Sequence, residues 1–243
     1  MKYLWNMANT CSRGMQYYSW LMSEVYVHFS DEGSQTVATE IANAWTDDRI
    51  SGFSFDVHWA HIYCVRPGVW LNDIIIHAFL ETLSHKYKKN KTIFLPQLSN
   101  PAPEKGKRIP QATLNALETT SEDFVFMSIN LNRCHWACIL VDMMKGTLLC
   151  YDSVDSRPHH KLLSELASEM VARSLTGFTH IAVHNPLQKD SNNCGLFVCL
   201  FFWKRLWKEV GSDYTEEGLA RRRWQILHAV VNFDKEKKED ASK

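Results

Sequence analysis

The sequence predicts an α+β domain with a largely antiparallel or mixed sheet. Three observations carry this. An amphipathic helix pattern follows Trp70, a block of short apolar segments fills 124–151, and two later helical segments are separated by one more apolar segment.

Taken in chain order, residues 1–55 are poorly patterned. They hold several aromatics (Tyr3, Trp5, Tyr17, Tyr18, Trp20) and a polar stretch from Ser30 to Thr36, and read as an N-terminal extension packed on the domain. Asn72 and Asp73 are good helix N-caps. Ile75, Phe79 and Leu83 then recur every four residues beside Ile76 and Leu80, which predicts a helix to about Lys86. Asn100 to Pro110 contains three prolines and a glycine and reads as a loop. Phe124–Ile129, Trp136–Asp142 and Thr147–Tyr151 are strand-like, the last two joined as a hairpin with Gly146 in the turn. A helix is expected over Arg157–Ser174, a strand over Phe178–Val183, an apolar helix from Cys194 to about Glu209, and a final helix over about Glu216–Val231. The tail 234–243 is almost all charged and is expected to fray. The domain itself is placed at 56–233.

Composition excludes several classes. Lys plus Arg and Asp plus Glu are 27 each, so the net charge is zero, against a constitutive nucleic-acid binder. With 45% hydrophobic and 22% charged residues, the chain can bury a real core, and pervasive disorder is excluded. The longest apolar run, Cys194 to Trp203, is too short to span a bilayer, and residues 1–30 show no signal-peptide pattern. Seven irregularly spaced cysteines then point to a reducing intracellular setting, nucleus or cytoplasm, in which a reactive thiol is possible.

The most informative segment runs from Gln188 to Phe197. A polar turn leads straight into an apolar helix with Cys194 at its first turn. There the unpaired N–H groups and the helix dipole favour thiolate over thiol. A nucleophilic cysteine needs a base and the base an orienting group. His135 opens one strand of the hairpin and Asp152 closes the other, 152 − 135 = 17 residues apart, so pairing would bring carboxylate to imidazole. Gln188, six residues before Cys194, could aim its amide at the carbonyl oxygen served by the Cys194 backbone N–H, forming an oxyanion hole. Each residue alone has a bland reading: a buried cysteine, a strand histidine, a turn aspartate, a solvated glutamine.

Four blocks in order change that balance: Trp70-Leu71-Asn72-Asp73, His135-Trp136, Tyr151-Asp152-Ser153, and Gln188 followed by Cys194-Gly195. With them, roughly residues 60–210 resemble the Ulp1-like family of SUMO-specific, or sentrin-specific, cysteine proteases. The resemblance implies a papain-like fold, with a mixed central sheet flanked by helices. It implies a His135, Asp152 and Cys194 triad and Gln188 as oxyanion donor. It also implies a narrow channel for a Gly-Gly tail bordered by Trp70 and Trp136, next to Asn72 and Asp73. One departure is Asn193, where the family commonly has aspartate; it bears on a local hydrogen bond but removes no triad member.

The expected activity is therefore hydrolysis after the C-terminal Gly-Gly of SUMO, in processing or deconjugation. The rivals are the same chemistry on NEDD8 or ubiquitin, an acyltransferase, and a non-catalytic modifier-binding pseudoprotease. The expected partner is SUMO or another ubiquitin-like protein and its conjugates, with no nucleic acid, no membrane and a monomeric state. No cofactor and no metal are expected. Cys134, His135 and Cys138 alternate in facing along a strand, and His180 and His184 read as structural. The basic clusters Lys86–Lys91 and Arg221–Arg223 read as solvated faces, and Trp203 and Trp207 as core packing.

Overall fold

A computed structural model describes residues 1–26, 31–87, 92–95, 98–99 and 107–242. Most of the expected 100–110 loop and residues 88–91 of the first basic cluster lie outside the described residues. The chain divides into two compact units, one formed by 1–82 with 213–243 and the other by 83–212.

The second unit holds the sheet. Its strands are β1 (Thr92–Phe94), β2 (Leu98–Ser99), β3 (Phe124–Leu131), β4 (His135–Asp142), β5 (Thr147–Tyr151) and β6 (Thr179–Val183). They run in the order β1-β3-β4-β5-β6, with β2 also on β3. The middle of the sheet, β3–β4–β5, is antiparallel, while β1, β2 and β6 pair in parallel, so the sheet is mixed as expected.

Every residue of β4 is buried, because helices cover both faces of the sheet. Val125, Met127, Ile139, Val141, Leu148 and Cys150 point into one core with Leu114 and Leu117 of a helix at Gln111–Thr119. Leu163, Leu166 and Met170 of the helix Arg157–Arg173 join them. On the other face, the helix Cys194–Leu206 sets Phe202 against Phe126 and Phe201 flat on Tyr151, 4.4 Å between centroids. The 111–119 helix and the two short strands β1 and β2 escape the sequence reading; their segments are short and their apolar residues few.

Two turns aim the site. Between β3 and β4, Asn132 and Arg133 both take positive φ (54° and 60°), and Cys134 N–H closes onto Leu131 O at 3.1 Å. This is a type I′ turn, whose twist matches the hairpin and delivers His135 as the first residue of β4. Between β4 and β5, Gly146 supplies φ 61°.

The first unit is helical: α1 (Lys2–Trp20) with a wider turn to Val25, α2 (Glu32–Asn43), a 3₁₀ segment (Trp59–Val65), the start of α3 (Asp73–Lys86) and the last helix (Glu216–Ala241). With α3, the helices Gln111–Thr119, Arg157–Arg173, Cys194–Leu206 and Glu216–Ala241 become α4 to α7. The polar run before Thr36 is thus a helix start, capped by Asp31, which accepts from Ser34 N–H at 2.8 Å. The expected fraying from Asp234 is also corrected, since α7 continues to Ala241. Lys238 pairs with Asp234 one turn back, Lys235 with Glu40, and Lys237 donates to Gly52 O.

Arg223 corrects the solvated reading of its cluster. It is 1% exposed, and its guanidinium donates to the carbonyls of Cys64, Arg66 and Val69 at 3.1, 3.1 and 2.8 Å. It thereby satisfies the open end of the 3₁₀ segment and shapes the turn that leads to Trp70. Trp207 is likewise no core residue. It lies just past the end of α6, 46% exposed, stacked on Tyr87.

Candidate active site

His135 and Asp152 meet as the hairpin geometry requires. The β4–β5 register pairs Cys138 with Tyr151, so the start of β4 lies beside the residue that follows β5. His135 Nε2 is 2.6 Å from Asp152 Oδ1. Asp152 is wholly buried, and each of its oxygens takes two donors. Oδ1 accepts from His135 and from Val154 N–H at 3.2 Å; Oδ2 accepts from Ser156 N–H at 2.9 Å and from His159 Nδ1 at 3.1 Å. Burial alone would raise its pKa, but the His135 hydrogen bond and charge and the backbone donors bring it down to about 2.

The Cys194 thiol acts on the same imidazole and favours its protonated form. With Nε2 committed to Asp152, Nδ1 is the nitrogen left to serve the thiol. Burial works against a charged His135, yet the bonds and charges of Asp152 and Cys194 more than reverse it, raising its pKa to about 9. At neutral pH the ring is therefore an imidazolium held by the Asp152 carboxylate.

Cys194 is the first residue of α6 and is 2% exposed. First-turn amides have no acceptor inside their own helix, so Cys194 stands where N–H groups and the positive end of the dipole converge. Asp190 shapes the approach. Its Oδ1 accepts from Asn192 and Asn193 N–H at 2.9 and 2.8 Å, and its Oδ2 from the Asn193 amide at 2.9 Å. Asn193 thus holds the turn closed through its own side chain. Three other thiols are pushed up by desolvation, the buried Cys150 to about 12, the half-buried Cys64 to about 11 and the buried Cys138 well above the usual thiol range. Cys199 is buried as expected of a packing residue, whereas Cys134 is exposed.

Gln188 is fixed at both ends. Its N–H donates to Ser153 O at 2.9 Å, its Oε1 accepts from Ser153 Oγ at 2.6 Å, and its Nε2 donates to Asp190 O at 2.8 Å. A carbonyl at Asp190 can only accept, so the amide nitrogen must lie on that side. Ser153, directly after Asp152, therefore ties the Gln188 loop to the residue that holds His135.

The sequence-derived residues fall in both units. His135, Asp152, Cys194, Gln188 and Trp136 are in the second; Trp70, Asn72 and Asp73 are in the first. Trp136 is 5% exposed and Trp70 is 47% exposed. Asn72 is taken up locally: Oδ1 caps α3 by accepting from Ile75 N–H at 2.8 Å, and its amide donates to His61 O at 3.0 Å. Asp73 is exposed at the first turn of α3 and accepts from Ile74 N–H at 3.0 Å.

His159 was not singled out by the sequence; its only signal is a histidine seven residues after the aspartate. His180 bonds Ser164 Oγ at 2.9 Å, as a structural histidine should, and His184 lies just past the end of β6.

Among the described residues, two groups place three ligand-type atoms within 4.8 Å of one another, His135–Asp152–His159 and Asp155–His160–His184. In the second, Asp155 Oδ1 accepts from His160 Nε2 at 2.8 Å and His184 Nδ1 at 2.5 Å. A metal on His160 Nε2 would move the proton to Nδ1, which is buried and finds no partner among the described residues. The packing thus suits a ring that donates from Nε2 to the carboxylate. The first group is the hydrogen-bonded His135–Asp152 pair with His159.

Residues 69–240 match the family model of the Ulp1 protease family, C-terminal catalytic domain. Ubiquitin-like-specific protease 1 of Saccharomyces cerevisiae is 28% identical over 178 residues, covering 69% of this chain and 28% of that protein. Sentrin-specific protease 2 of Mus musculus is 23% identical over 229 residues, covering 85% and 38%. The chain thus spans about a third of the length of these curated relatives. Among solved structures, the C-terminal Ulp1 protease domain in complex with Smt3, the yeast ortholog of SUMO, superimposes with a TM-score of 0.67. It is 19% identical, covering 84% of this chain and 96% of that one. The Ulp1-like SUMO protease catalytic domain of Chaetomium thermophilum gives 0.64 at 17% identity, covering 83% and 89%. The fold is the α+β, papain-like cysteine protease fold that these structures share.

Proposed function

The chain belongs to the Ulp1 protease family, C-terminal catalytic domain, and we propose that it is a cysteine peptidase that hydrolyses the bond after the C-terminal Gly-Gly of SUMO. The single observation that carries the chemistry is the His135 imidazole, which bonds Asp152 at 2.6 Å and whose protonated form both Asp152 and the Cys194 thiol favour. The choice of SUMO is supported by the fold shared with a protease domain solved with Smt3. An intracellular setting, nucleus or cytoplasm, goes with that substrate.

In this reading His135 holds the proton of Cys194 in the resting state, and the thiolate attacks the Gly carbonyl. The Cys194 N–H and the free hydrogen of the Gln188 amide meet the oxyanion. The imidazolium then protonates the leaving amine, the thioester forms, and His135, now neutral, activates water to release the modifier. Asp152 stays ionised throughout and fixes the ring.

The test is covalent capture. SUMO, NEDD8 and ubiquitin carrying a C-terminal electrophile are each incubated with the protein. A SUMO adduct that maps to Cys194 and disappears in Cys194→Ala is the expected result. Capture of ubiquitin or NEDD8 instead moves the substrate, and capture of none overturns the protease reading.

A further inference from the structure

We propose that His159 is a positioning residue for the His135 imidazole, holding the far oxygen of Asp152 and the face of the ring at once. The proposal rests on the reading of His135 as the acid–base group. His159 is the third residue of α5. Its Nδ1 lies 3.1 Å from Asp152 Oδ2, the oxygen that does not face His135. Its ring lies nearly parallel to that of His135, 4.8 Å between centroids at 18°. One side chain thus touches both partners of the 2.6 Å bond, and touches each on the side the other leaves open.

Each contact restrains a different motion. A carboxylate can swing about its last torsion, and donors on Oδ2 stop that swing, so Oδ1 stays aimed at Nε2. Ser156 N–H supplies one such donor and His159 the other. An imidazole held by one edge can tilt about its hydrogen bond, and a flat neighbour against its face removes that freedom. His135 must present Nδ1 to a sulfur on another element, so a tilt about the Asp152 bond would misdirect it. The turn from Asp152 into α5 makes the arrangement possible. Asp155 N–H closes back onto Asp152 O at 3.1 Å, and Ser156 begins the helix, which returns His159 over the carboxylate one turn later.

The two contacts can be separated by substitution. His159→Asn places an amide nitrogen where Nδ1 stood and removes the ring. His159→Phe keeps the flat face and removes the donor. His159→Ala removes both. The first readout needs no substrate: the proton shared by His135 Nε2 and Asp152 should give an NMR resonance far downfield of the backbone amides, identified by its loss in Asp152→Asn. The second is kcat and KM on SUMO with a fluorogenic C-terminal amide. In His159→Ala the downfield proton is expected to broaden or vanish. There kcat should fall roughly tenfold, the lower part of what misplacing a reacting group costs, with KM within about twofold. The Asn and Phe variants should each recover part of both signals. If all three variants keep the resonance and kcat, the proposal is overturned while the triad stands. A fall in kcat that tracks only a lower melting temperature, with the resonance intact and no recovery in Asn or Phe, makes His159 merely structural and also overturns it. A parent with no downfield proton removes the His135–Asp152 pair and takes the proposal with it.

Discussion

Asp152→Asn tests the centre of the site, and the structure sets what it should cost. The carboxylate accepts four hydrogen bonds, from His135 and Val154 on one oxygen and from Ser156 and His159 on the other. An amide has one oxygen to offer. If that oxygen faces His135, the NH2 meets Ser156 N–H; if it turns, the NH2 meets Val154 N–H. Either histidine can change tautomer and accept, but a backbone N–H cannot, so one buried donor is stranded in both orientations. That costs about 1–3 kcal/mol, and at this chain length each kcal/mol lowers the melting temperature by roughly 2–4 °C. The effect on rate is larger. When the NH2 faces His135, the ring's proton moves to Nδ1, the nitrogen that must serve the thiol, and a wrong tautomer costs about 10⁴ in kcat. When the oxygen faces His135, the tautomer is right, but the charge that holds the ring protonated against burial is gone. Expected is a folded protein with kcat down by ~10²–10⁴ and a slower alkylation of Cys194 by iodoacetamide near pH 6. A folded variant keeping more than about a tenth of parental kcat would refute the assignment of Asp152 as the orienting acid.

Further outcomes are expected at His135, Gln188 and the two tryptophans. His135, with its pKa raised to about 9, should give kcat/KM an alkaline limb near pH 9, where the imidazolium that protonates the leaving amine is lost; a limb near 7 speaks against the ion pair. The same shift links to stability. The folded pKa lies above the unfolded value of ~6.5, so a stabilisation of about 3 kcal/mol is fully present below pH ~6.5 and disappears as pH rises through about 9, readable in urea melts. Gln188→Ala should lower kcat about 10²–10³-fold with little change in KM, and normal kcat would remove it from the oxyanion site. The two tryptophans should part company. Trp136→Ala, a buried strand position, should cost about 3–5 kcal/mol of stability. Trp70→Ala, half exposed, should melt almost normally while kcat/KM falls, and an unchanged kcat/KM would exclude Trp70 from the substrate path.

What could be read in advance follows from how far each signal reaches along the chain. The hairpin was legible because alternating apolar runs and Gly146 are local, and with it came the meeting of His135 and Asp152. The Cys194 helix was legible because a polar turn abuts ten apolar residues. Arg223 was not, because its role depends on carbonyls more than 150 residues earlier, and an arginine in a basic run looks the same whether it is solvated or buried. The first helix was missed because it opens without a capping side chain or an acidic first turn and exposes apolar Tyr3, Leu4 and Trp5, which blurs the division between its faces.

The site shows a related limit. Pattern identifies the residues proposed to react; the residues that hold them come from other elements and carry no motif of their own. Ser153 stands beside the acid yet acts on the Gln188 side chain, and Asp190 stands beside neither yet closes the turn before Cys194. His159 is seven residues from Asp152, a spacing with no meaning until the turn and the first turn of α5 fold it back. These supports converge on Asp152 and Gln188 because both must be fixed before substrate arrives. A carboxylate free to swing would let the imidazole turn, and an amide free to turn would offer its oxygen, an acceptor, to an oxyanion. The donors on Asp152 and the three bonds on Gln188 remove those two errors, so the site is preorganised by bonds that never touch the substrate.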